Sequence, residues 1–89
     1  MKPKIFFCRL TSNTLGDSEY PSGIIRIDLH KSRDYLYTFL HELLHLKHPE
    51  WSEKRVITGT RKAWKRLTAE QKFALGHLLF RSYEKWDGK

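Results

Sequence analysis

The chain has 89 residues, 39% of them hydrophobic and 13% aromatic, with 17 Lys plus Arg against 10 Asp plus Glu and a formal charge of +7. That length holds one small core and excludes a large catalytic scaffold, while the apolar content excludes a disordered tail. Cys8 is the only cysteine, so no internal disulfide can form, and extra stability must come from a metal, a partner or helix packing. The single cysteine fits a reducing cytoplasm; residues 1–10 lack a secretory pattern, and no stretch approaches the roughly 20 apolar residues of a membrane span.

Lys4 to Leu10 (KIFFCRL) reads as a strand that ends in a loop around Gly16-Asp17. After Pro21-Ser22-Gly23, residues Ile24 to His30 alternate Ile25, Ile27 and Leu29 with Arg26, Asp28 and His30, the pattern of a half-buried strand. Ser32 is placed to cap a first helix, with Asp34 in its first turn, and the helix should end near Lys47 because Pro49 forbids the α conformation before it. A second helix is predicted from Ser52 to about Leu67. The Thr68 and Gln71 pair forms a capping box that opens a third, to about Trp86. The predicted order is strand, strand, helix, helix, helix, in a single domain over 1–89.

The first helix carries His41-Glu42-Leu43-Leu44-His45, an HExxH motif. Histidines at i and i+4 lie one turn apart on one face, so both imidazoles can reach one zinc ion, and the intervening glutamate can deprotonate a water beside it. With five His and six Glu in the chain, chance supplies only about 0.02 such motifs. At about 100° per residue, Leu36, Phe39, Leu40, Leu43, Leu44 and Leu46 spread over one side of the helix, and His41, His45, Asp34 and Thr38 gather on the other. The bland alternative is a surface helix with two solvated histidines.

A hydrolytic zinc site needs a third protein ligand. The HExxHxxGxxH pattern is excluded by His48 and Trp51, which stand where it needs Gly and His. His48 itself is about 10.5 Å along the axis from His41 in a regular helix, and would ligate only if the helix unwound near Pro49. Glu53 is favoured. It falls on the face of the second helix that carries Val56, Ile57, Ala63, Trp64 and Leu67, where a carboxylate needs a strong partner such as a cation. The competing reading has Glu53 serving only the helix dipole.

The run from Ile24 to Leu67 resembles the short gluzincin-type zinc metallopeptidases, including small phage-encoded members. The likeness rests on Ile25-Arg26-Ile27-Asp28, the HExxH at His41 to His45, Pro49, Ser52-Glu53-Lys54-Arg55-Val56 and Trp64-Lys65-Arg66-Leu67. The His-Leu-Lys-His-Pro stretch is also similar to SprT-like metallohydrolases. The resemblance implies an α+β, minimal zincin-like domain with a small antiparallel sheet of about two strands, then three helices with the HExxH helix first. It further implies one Zn2+ per chain on His41, His45 and Glu53, Glu42 as general base, and a peptide or protein substrate in the cytoplasm, or the host cytoplasm for a viral protein. The Ile24 to His30 strand would be the edge along which the peptide lies. For the developing oxyanion the chain offers His77, Tyr83, Tyr20 or His48, none with a commending spacing.

Up to His45 the chain has six basic and five acidic residues; beyond it there are eleven and five. Lys54, Arg55, Arg61, Lys62, Lys65 and Arg66 fill one side of the second helix, followed by Lys72, Arg81 and Lys85 in the third. This stripe reads either as a solvated helix face or as a footprint for nucleic acid or an acidic protein. The alternative to a peptidase is therefore a non-catalytic basic binding module in which a metal is structural or absent.

Overall fold

The computed structural model describes residues 3–11, 13–32 and 34–84. The apolar alternation of Ile24-Ile25-Arg26-Ile27 forms a strand with Ile25 and Ile27 buried and Arg26 exposed. Together with Lys4–Phe7 it makes the centre of a sheet, and the elements in chain order are β1 (Lys4–Phe7), β2 (Gly16–Glu19), β3 (Ile24–Ile27), α1 (Tyr35–Lys47), α2 (Glu53–Arg66), α3 (Ala69–Ser82) and β4 (Tyr83–Glu84). The class is α+β, a small sheet followed by three helices with the HExxH helix first, as expected. No helix among the described residues is long and apolar enough to cross a membrane.

The sheet corrects the expected antiparallel pair of strands. Its order is β2-β3-β1-β4, β3 runs parallel to β1 in the register Ile5 to Ile25, and only β2 with β3 is antiparallel. The reason lies in β2. Gly16-Asp17-Ser18-Glu19 has no apolar alternation and reads as loop, yet it takes the chain back beside β3 through a turn closed by Gly23 N–H to the Glu19 carbonyl at 2.9 Å. With one extra reversal between them, the two recognisable strands run the same way. The β3 strand is then interior, flanked by β2 and β1, and cannot be the edge that accepts a peptide; the edge on this side is β2.

Strand β3 stops at Ile27 rather than His30 because the Asp28 carboxylate turns the chain. It accepts the backbone N–H groups of His30 (2.9 Å) and Lys31 (3.2 Å), and across the fold that of Leu10 (2.9 Å), with the Lys31 ammonium 3.6 Å away. The Lys31 ammonium also donates to the Leu10 carbonyl. These bonds tie the β1–β2 loop to the end of β3, and Asp28 N–H to the Leu15 carbonyl (2.9 Å) sets the start of β2. Asp28 is 1% exposed, and the Leu10 bond leads the contributions that hold its carboxyl below the usual value, against the effect of burial. A depressed carboxyl stabilises the fold above its unfolded value of about 3.9 and loses that contribution as pH falls through the folded one. Asp28→Asn should therefore lower the melting temperature at neutral pH and flatten its fall below about pH 4. Parallel melting curves against pH for variant and wild type would refute this anchor.

Helix α1 is capped by Asp34, which accepts from Tyr37 N–H at 3.1 Å, and not by Ser32. Ser32 is buried and its hydroxyl meets the Thr38 hydroxyl at 2.7 Å. Helix α2 begins where expected, with Ser52 as its cap accepting from Arg55 N–H at 3.2 Å, and the Thr68 and Gln71 box caps α3 in both directions, at 2.9 and 3.1 Å. Helix α3 ends at Ser82, short of the predicted end, because Tyr83 and Glu84 pair with Ile5 and Phe6 as β4; Lys85 and Trp86 lie outside the described residues. Ile5, Ile25, Ile27, Phe39, Leu46 and Leu79 form the core between sheet and helices, and each such side chain contributes roughly 1.5–3 kcal/mol on burial.

Candidate metal centre

Helix α1 does not present a simple apolar side to the core and a solvated side to water. Thr38 and Glu42 are 8% and 7% exposed, because β2 lies against that part of the helix. The approach is close enough to require glycine: a Cβ on Gly16 would lie 2.8 Å from Thr38 Cγ2 and 3.0 Å from the Arg26 carbonyl oxygen. The HExxH face is thus roofed by a strand, and His41 and His45 are only partly exposed.

The turn between α1 and α2 is held by aromatic stacking. The rings of His48 and Trp51 lie 3.8 Å apart and within 5° of parallel, and the Arg55 guanidinium sits 4.6 Å from the Trp51 ring centre. Trp51 also packs against Gly59, where a Cβ would come within 3.1 Å of its ring. With α2 seated this way, Val56 and Thr60 are buried and Glu53 at its first turn faces α1.

The consequence is a convergence of donors. Glu53 Oε1 lies 2.8 Å from His41 Nε2 and 3.0 Å from His45 Nε2, accepting from both rings. The His41, His45 and Glu53 donor atoms all fall within 4.8 Å of one another, so these three residues could hold a metal ion. Tetrahedral bonds of 2.0–2.2 Å place neighbouring ligand atoms about 3.3–3.5 Å apart, so Glu53 Oε1 would move slightly outward from both imidazoles to admit an ion. The donor set of two imidazoles and one carboxylate is also the one that zinc takes in hydrolytic sites.

Glu53 is not buried as its place on the helix suggested. Its side chain is 64% exposed, since the first turn of α2 projects past the core into the cleft. Partial burial pushes its carboxyl up, but the hydrogen bond from His45 and the charges and bond of His41 outweigh this and hold it below the usual value. His48 is not part of the cluster; its ring is engaged with Trp51, and its Nδ1 is 3.8 Å from Glu50. Glu42 stands beside the cluster rather than in it. Burial pushes its carboxyl above the ordinary range and Glu53 adds to this, while hydrogen bonding from Ser18 and the charges of His41 and His45 oppose it.

Two openings meet at Glu42. One of about 340 Å³ is lined by Thr14, Leu15, Tyr37, Thr38, His41 and Glu53, and another of about 250 Å³ by Asp17, Ser18, His45 and Glu53, with Gly16 and Glu42 shared. No protein-family model, curated protein or solved structure matches this chain, so its own geometry carries the reading of the site.

Tyr20, His48 and His77 line neither opening, and the Tyr83 side chain lies outside the described residues. Tyr37 does line one, and helical phase could have found it: Tyr37, His41 and His45 fall at i, i+4 and i+8 on one stripe. The contribution of Gly16 and Ser18 had no such signal, because β2 carries no strand pattern. The six basic residues of α2 are all exposed and stand apart from the cluster except where Lys54 follows Glu53.

Proposed function

We propose that the protein is a zinc-dependent metallohydrolase acting on peptide bonds, with His41, His45 and Glu53 as ligands. The observation that carries this is the meeting of two HExxH imidazoles on one Glu53 oxygen, with the carboxylate of Glu42 buried alongside in the same cleft. Zinc held there would polarise the scissile carbonyl and acidify the attacking water.

Glu42 accepts the proton of that water and passes it to the leaving amine, and a carboxyl raised by burial is suited to both halves of the task. Ser18 lines the cleft beside Glu42 from the strand side and opposes the upward shift of its carboxyl. The outer edge of β2 offers backbone groups to an extended peptide, which brings its carbonyl over Glu42. On the cleft wall, Tyr37 supplies a phenolic donor for the oxyanion.

The test is metal content followed by activity. Protein purified without chelator should carry about one zinc per chain, cleave an unfolded protein substrate, lose cleavage with o-phenanthroline and regain it with added zinc. Protein that neither takes up zinc nor cleaves with zinc in excess would end the proposal.

A further inference from the structure

Apart from Arg55, which lies over Trp51, the basic side of α2 takes no part in the site just described, and its arrangement has a cost. Lys54, Arg55, Arg61, Lys62, Lys65 and Arg66 are all exposed, and Thr58 is the one other residue on the same arc. The arc spans about 140° and, over twelve residue steps, about 18 Å of helix. Arg61 with Lys65, and Lys62 with Arg66, are like-charge pairs at i, i+4, which destabilise a helix. Among the described residues none of the six reaches an acidic side chain; the ion pairs present are Arg26 with Asp17, Lys31 with Asp28, and the histidines with Glu53 or Glu50. Lys72 of α3 lies off this arc, its ammonium 4.4 Å from the ring centre of Trp64 on the apolar face of α2, and Trp64 in turn packs edge-on against Tyr37.

We infer that this face binds the phosphate backbone of nucleic acid. A rigid rod with one or two cations per turn matches a regular line of phosphates, whose neutralisation releases condensed counterions. A membrane surface fits less well, because an interfacial helix needs an apolar side free to enter the lipid, and that side of α2 is spent against α1 through Val56 and Thr60. An acidic protein offers carboxylates without a regular spacing.

The experiment is fluorescence anisotropy with a labelled 20-base-pair DNA duplex, titrated with the whole chain at several salt concentrations. With about four phosphate contacts, affinity should fall on the order of 100-fold between 50 and 200 mM salt. The combined variant Arg61→Gln, Lys62→Gln, Lys65→Gln and Arg66→Gln should lose most of the binding at 50 mM and most of the salt slope, with an unchanged circular dichroism spectrum. A control removes charge elsewhere, at the exposed Lys4, Arg9 and Lys47, each to Gln, and should keep most of the affinity. Equal losses in both variants would mean net charge alone and overturn the assignment to α2. So would absence of binding at 50 mM, or equal or tighter binding to polyglutamate or to phosphatidylserine vesicles. None of these readings depends on zinc or hydrolysis.

Discussion

Glu42→Gln should leave zinc content unchanged and reduce peptide hydrolysis by about 10²–10⁴-fold, the usual contribution of a positioned general base. The substitution is nearly isosteric in a site where Glu42 is 7% exposed and enclosed by β2, so the cleft should keep its shape. A metal ligand at this position would behave differently, losing zinc together with activity. Measurement of kcat beside zinc stoichiometry separates the two, and cleavage at the wild-type rate by the Gln variant would remove Glu42 from the proton-transfer role.

The second large effect concerns affinity. Zinc that binds only the folded chain stabilises it by about 4 kcal/mol at a thousandfold excess over its dissociation constant, which for a domain of this size raises the melting temperature by roughly 15–30 °C. Glu53→Ala and His45→Ala should each remove most of that rise. Because the Glu53 side chain is 64% exposed, its loss should change the melting temperature without zinc by only a few degrees, so ligation and folding are read separately. A zinc-induced rise in Glu53→Ala equal to that of wild type would show that Glu53 merely favours the positive end of α2.

The helices and their ends were legible because their signals are local. Ser52, the Thr68 and Gln71 box, and Pro49 each act within a turn of their own position, and the structure keeps all three boundaries. The HExxH spacing is local too, and the phase of α2 pointed Glu53 toward α1. What stayed hidden depends on contacts distant in sequence. Nothing in Gly16-Asp17-Ser18-Glu19 announces a strand, whose existence rests on pairing with β3 and on the clearance that Gly16 gives against Thr38. Asp34 displaced Ser32 as the cap because Ser32 is drawn into a buried bond with Thr38. The end of α3 was misplaced for the same reason, since Tyr83 and Glu84 gain partners in β1, nearly eighty residues earlier.

The stacked turn at His48 and Trp51 bears on how the site assembles. All three donor residues lie on a helical hairpin between positions 41 and 53, so gathering them closes only a short loop, for which the entropic cost is small. The β1 and β4 pairing, by contrast, joins the two ends of the chain and needs nearly the whole of it in place. A cation held there would draw together residues at most twelve positions apart, and the ordering of its ligands would not wait for β1 and β4 to pair.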